Sequence, residues 1–140
     1  MISNNLIRFI DAQKASYATA LSEIKKGKKQ SHWMWFIFPQ IEGLGHSSMA
    51  KFYGIKDLNE ASEYLKHEVL GQRLVEICET LLTLQTSDPY EVFGTPDDLK
   101  LKSSMTLFSQ IEDPNPVFKK VLEKFFDGEE DRQTLRKLGG

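Results

Sequence analysis

The feature that most constrains this chain is an apolar repeat of three and four residues that returns in nearly every segment between its glycines and prolines. Leu6, Ile10, Tyr17, Leu21 and Ile24 fall at helical spacings, with Ser3 or Asn4 placed to cap the start and Gly27 to end the run. Leu70, Leu74, Ile77, Cys78, Leu81 and Leu84 trace a second long face. Asp57, three residues before Glu60, predicts a capping box for a helix carrying Ala61, Tyr64 and Leu65. After Asp88-Pro89 a short apolar piece ends at Gly94, and Thr95-Pro96 reads as a cap with proline at the first helical position. Leu101, Met105 and Phe108 give that helix a buried face. Beyond the break at Asp113-Pro114-Asn115-Pro116, Val117, Phe118, Val121, Leu122 and Phe125 form another, closed by Gly128. Glu130 to Leu138 predicts a last short helix. The expected fold is therefore mainly α, a compact bundle of about six to eight helices. No repeat, low-complexity tract or linker divides it, so residues 1–140 are expected to form one globular domain, a length that buries roughly 68% of the unfolded chain's surface.

Charge and cysteine usage narrow the partners. With a formal net charge of −2 and a pI near 5.9, the chain lacks the basic footprint of a protein that binds a nucleic-acid polymer. No apolar run nears the roughly 18 residues of a membrane span, and MISNNLIRFIDAQ lacks the basic-then-apolar order of a secretory leader. The single cysteine, Cys78, has no second thiol to pair with, in keeping with a reducing compartment, so a cytoplasmic protein off the membrane is expected. Cys78 lies on a core face with no histidine near it in sequence, which predicts an inert buried thiol. His32, His46 and His67 are too far apart for metal-ligand spacing. No metal and no cofactor are expected, and nothing in the sequence sets the oligomeric state.

Two stretches depart from simple core patterning. In SHWMWFIFPQIEGLGHSS, Ser31 to Ser48, both tryptophans stand beside a histidine, two phenylalanines and a proline. A run this apolar must be mostly core, since each large side chain gains about 1.5–3 kcal/mol on burial. It fits a helix or a strand equally well. The polar atoms of His32, Trp33 and Trp35 need partners, however, and predict either satisfied core groups or the wall of a pocket. Gln40, Gly45 and Ser47 belong to the polar loop that follows, read either as an ordinary turn with a serine cap or as a ligand loop approached closely by backbone. GLGHSS lacks the glycine-lysine pair of a nucleotide-hydrolase phosphate loop.

The second stretch is TPDDLKLKSSMTLF, Thr95 to Phe108. At 100° per residue, Asp97, Lys100 and Ser104 lie within about 60° of one another, on the face shared with Leu101 and Phe108. A carboxylate, an ammonium and a hydroxyl beside a core stripe must pair with each other, with buried groups or with a ligand. Asp98 is placed to pair outward with Lys102 at i, i+4. Aromatic wall, glycine-rich loop, acid, base and hydroxyls together suggest a pocket for a ring-bearing polar or anionic ligand.

These residues also carry a resemblance. HWMWFIFPQ, GLG with a nearby serine, FYGI, EASEYL, LGQRL, VFGTPDDLKLKSSMTLF and GEEDRQTL resemble, over nearly the whole chain, the bacterial family catalogued as domain of unknown function 1810. Some of its members are labelled "calpastatin", although this sequence has no disordered, repeated inhibitor segment. The resemblance implies a small, mainly helical intracellular domain without an established activity. The general layout is more remotely similar to the YbiA-like group, which includes N-glycosidases of nucleotide-derived compounds and domains linked to ADP-ribose. That similarity implies hydrolysis or binding of a small nucleotide-like molecule. Trp33, Trp35 or Tyr53 would stack the base, the Gly43 to Ser48 loop would receive phosphate, Asp97 would stabilise the reacting centre or activate water, and Lys100 would hold Asp97 ionised. The alternative is a non-catalytic domain binding a metabolite or a protein partner.

Overall fold

Helices form where the apolar period of the sequence runs uninterrupted, and they stop where glycine, proline or a polar cap intervenes. The structure, a computed structural model, describes residues 6–139. In chain order the elements are α1 (Ile7–Lys25), α2 (Met34–Ile37), α3 (Ser48–Tyr53), α4 (Leu58–Lys66), α5 (Glu68–Leu82), α6 (Pro89–Phe93), α7 (Asp97–Ser109), α8 (Val117–Phe126) and α9 (Arg132–Lys137). Among the described residues there are nine helices and no strand, so the fold is all-α. The long period-3.6 segments supply α1, α4, α5, α7 and α8, and shorter helices occupy the connections.

Capping follows the sequence closely at most ends. Asp57 Oδ1 accepts from Glu60 N at 2.9 Å, Asp88 Oδ1 from Tyr90 N at 3.0 Å, and Ser47 Oγ from Ala50 N at 3.1 Å. The Glu60 carboxylate closes its box one residue upstream of the cap, accepting from Lys56 N at 2.9 Å. α8 ends with Asp127 in the left-handed region, and Gly128 N returns to Leu122 O at 3.0 Å. The expected Ser3 or Asn4 cap lies outside the described residues. Thr95 is not the cap of α7: the helix begins at Asp97, Pro96 holds the cap position after a cis Thr95–Pro96 bond, and the Pro96 carbonyl accepts the first helical amides, from Leu99 and Lys100. The ambiguous aromatic run resolves into the single turn of α2.

The core forms around two hubs. α5 packs on α1, α4 and α8, while α7 packs on α4, α6, α8 and α9. Because neighbours surround α7, its second half is buried on all sides from Ser103 to Phe108. Gly71 lets α5 start against the end of α4, where a Cβ would stand only 2.1 Å from Leu65 O. The polar loop after Pro39 is pinned by a parallel bridge between Ile41 and Ile55, with Ile55 N donating to Gln40 O and Glu42 N to Ile55 O, both at 2.8 Å. That bridge fixes the glycine-rich loop beside α2 and α7. No described helix is long and apolar enough to cross a membrane.

Candidate functional site

The segment joining α1 to α2 is organised by one carboxylate. Glu23, buried near the end of α1, accepts from Gln30 N (2.8 Å), Ser31 N (2.9 Å), Ser31 Oγ (2.5 Å) and Trp33 Nε1 (2.9 Å). Burial pushes this carboxyl upward, but the four donors outweigh it and hold the group at about 2. Trp33 is thereby locked into the core at 1% exposure, with its polar atom satisfied by the protein itself. The same segment carries Lys29, whose ammonium lies 5.0 Å from the Trp33 ring centroid and 2.9 Å from Asp97 Oδ2. Asp97 Oδ1 faces Lys100 Nζ at 3.3 Å, and Lys100 Nζ in turn sits 5.1 Å from the centroid of Trp35. Two tryptophan faces, two ammonium groups and one carboxylate thus form a continuous chain, in which each cation meets both an anion and a π-face.

On the outer side of this chain lies a cleft of about 580 Å³. One wall is Trp35 with Lys100 and Leu99; the floor and one side come from Gln40, Gly45, His46 and Ser47 of the pinned loop; the far wall is residues 129–133. A smaller recess behind it brings Tyr53 together with Trp35, Gln40 and Gly45. Gly45 is required where these hollows meet, because a Cβ there would lie 2.8 Å from that of Ala50.

The far wall is as ordered as the near one. Asp131 caps α9, and its Oδ2 accepts from Thr134 N (3.0 Å), Thr134 Oγ1 (2.6 Å) and Ser103 Oγ (3.2 Å). Its own amide donates to Thr106 Oγ1 at 2.8 Å, tying the segment to α7. Gln110 holds Glu130, and Lys102 pairs with Glu129. Lys102 therefore does not pair with Asp98, whose Oδ1 accepts from the adjacent Leu99 N at 2.8 Å: packing α7 against the chain before α9 offers Lys102 a tertiary partner.

The sequence-derived candidates divide accordingly. Trp35, Gln40, Gly45, Ser47 and Lys100 line the cleft, and Tyr53 lines the recess behind it. Asp97 has both oxygens held by lysines, Lys29 and Lys100, and is not among the residues that line the cleft. Trp33 is core, His32 is exposed and is not among the lining residues, and Ser104 is fully buried with a hydroxyl that finds no partner. Sequence reasoning missed Lys102 and Ser103 of α7 and Glu129, Asp131 and Arg132 of the far wall. The acidic cap at Asp131 before Thr134 was the available signal, but its approach to α7 is tertiary. Cys78 packs against the Met105 sulfur at 3.6 Å, and burial pushes its thiol far above the usual range. Among the described residues, no group of three His, Cys, Asp or Glu side chains could hold a metal ion.

Comparison with known proteins agrees with this architecture. The chain superposes on the crystal structure of the conserved hypothetical protein Rv1873 from Mycobacterium tuberculosis with a TM-score of 0.94 and 46% identity, over 97% of each chain. No curated protein matches the sequence. The family described as "Protein of unknown function (DUF1810)" matches residues 3–138, and the chain belongs to that family.

Proposed function

We propose that this protein binds a small nucleotide-derived molecule in the Trp35 cleft. The observation that carries the reading is the half-buried Trp35 on the wall of a ligand-sized hollow, with the Lys100 ammonium fixed over its ring by Asp97. An indole offers stacking area to a base, a pre-positioned cation favours an anionic or electron-rich partner, and Gln40 and Ser47 add hydrogen-bonding groups. The remote similarity to the YbiA-like group supports a compound of the ADP-ribose kind.

A second reading, hydrolysis of an N-glycosidic bond, is favoured by one feature of the far wall. The three bonds accepted by Asp131 all fall on Oδ2, so the carboxylate is rigidly held at the cleft that Trp35 also lines. In such a reaction water adds to the anomeric carbon, and the base leaves carrying the proton. A fixed carboxylate would assist by stabilising the cationic centre and accepting a proton from water. In this reading Asp131 takes the part that the sequence suggests for Asp97.

The experiment is a titration with adenosine, ADP, ADP-ribose and NAD, followed by intrinsic fluorescence and thermal shift. Trp33 is buried, so a ligand-induced emission change should vanish in Trp35→Phe. A ligand at 100 times its Kd should add about 2.7 kcal/mol of stability. Flat responses across the four compounds would overturn the proposal. Binding without release of free base would leave a binding domain. If turnover occurs, Asp131→Asn should abolish it while retaining the helix cap, since asparagine caps as well as aspartate.

A further inference from the structure

A second hollow, of about 500 Å³, borders the glycine-rich loop, and its lining carries three lysines, Lys51, Lys56 and Lys137, beside His46 and against a single acid, Glu42. The three lysines come from separate elements. Lys51 is in the last turn of α3, Lys56 follows the Ile55 bridge, and Lys137 ends α9. Among the described residues none of these three forms an ion pair, whereas Lys29, Lys100 and Lys102 each have a carboxylate. Gly43, at φ +93°, presents bare backbone to Lys137: a Cβ there would stand 2.7 Å from the ammonium nitrogen. The chain thus gathers like charges in one concave place, which focuses a positive field on whatever enters and favours an anion.

This hollow adjoins the cleft across a saddle at Gly45 and His46, which line both. We infer that the lysine hollow receives the phosphate groups of the molecule whose ring lies at Trp35, so that the ligand is a phosphorylated nucleotide, such as a nucleoside diphosphate or its sugar ester, and not a neutral nucleoside. The inference rests on the Trp35 reading and adds the ligand's charge, its orientation and the residues that select it. Lysine suits this task as a mobile point charge for phosphate oxygens, and the set is strong enough to make binding steeply salt-dependent.

The test compares ADP, adenosine and inorganic pyrophosphate by calorimetry on the full chain, in the wild type and in the double variant Lys56→Gln/Lys137→Gln. Both positions are exposed, so an unchanged Tm should verify that the variant folds. ADP is expected to bind at least about tenfold more tightly than adenosine, and the double variant to bring ADP down to the adenosine level while adenosine is unaffected. Raising salt should weaken ADP only. Equal affinities for ADP and adenosine, or an equal loss of both in the variant, would overturn the inference and leave the Trp35 site standing. Binding of pyrophosphate alone, with no response to either nucleoside compound, would overturn both the shared ligand and the Trp35 reading. Adenosine binding lost in Trp35→Ala, beside ADP binding that survives there at full strength, would also refute a single ligand spanning the saddle.

Discussion

Replacing Glu23 by glutamine tests whether one buried charge holds the segment that seats the site. Glutamine preserves shape: its carbonyl oxygen can accept the three donors now on Oε1, from Gln30 N, Ser31 N and Trp33 Nε1, and its amide can turn to Ser31 Oγ. Only the negative charge is removed. The Glu23 carboxyl is held at about 2, against an ordinary value of 4.5. A carboxyl depressed in the folded state stabilises the protein above its unfolded-state value and loses that contribution as pH falls toward the folded one. At about 1.4 kcal/mol per pH unit, the interval amounts to about 3 kcal/mol at neutral pH. About 1.5 kcal/mol should remain at pH 3 and less than about 0.5 kcal/mol at pH 2.

Urea unfolding of the wild type and Glu23→Gln at pH 7, 4 and 3 measures this directly, because carboxylates common to both proteins cancel in the difference. The gap is expected to be about 3 kcal/mol at pH 7 and to shrink by about half at pH 3. A gap of the same size at pH 7 and pH 3 would refute the reasoning, for it would mean that packing around residue 23, and not its charge, carries the stability. The consequence reaches the cleft. Lys29 lies on the clamped segment, so a loosened clamp should also weaken the Lys29–Asp97 contact that steadies Lys100.

Four further outcomes follow from the geometry. Asp97→Asn should destabilise the fold by about 2–3 kcal/mol in thermal or chemical denaturation, because it leaves the nearly buried Lys29 ammonium without its anion, while Lys100→Met should cost under about 1 kcal/mol. Ser104→Ala should be neutral or stabilising by up to about 1 kcal/mol, since it removes a buried hydroxyl with no partner. Gly71→Ala should lower stability by about 3 kcal/mol or more, as its Cβ would collide with a backbone carbonyl that cannot move alone. Cys78 should resist a thiol reagent in the native protein and react fully in denaturant, because the thiol is buried and its pKa is raised by burial.

The all-α fold was legible because its evidence is local. Each buried face of α5, α7 and α8 returns at helical spacing, and the caps at Asp57 and Asp88 are made by side chains only a few residues from their amides. What misled local reasoning was tertiary competition. Lys102 has a helical neighbour in Asp98 but takes Glu129, 27 positions away, because α7 lies against the chain entering α9. The α7 wheel carries a related lesson. Leu101, Met105 and Phe108 are buried as their spacing predicts, yet Ser103 and Thr106 are buried too, since the second half of this central helix has no outer face. Both hydroxyls meet Asp131, one at its carboxylate and one at its amide.

The site was half legible for the same reason. Sequence placed Asp97 and Lys100 on a face that had to be buried and so demanded partners, and the structure supplies Lys29, Trp33 and Trp35. The periodicity could not say which of the two tryptophans would face outward, because their spacing of two residues sets them on opposite sides of a single turn. Glu23 decides it, by drawing the Trp33 indole N–H inward and leaving Trp35 at the cleft. A carboxylate in α1 thereby determines which ring faces the cleft, and Asp97 determines which ammonium lies over that ring. If that is so, Glu23→Gln and Asp97→Asn should both blunt the fluorescence response of Trp35 to ligand although neither side chain lines the cleft, whereas His32→Ala, at an exposed position outside it, should leave that response unchanged.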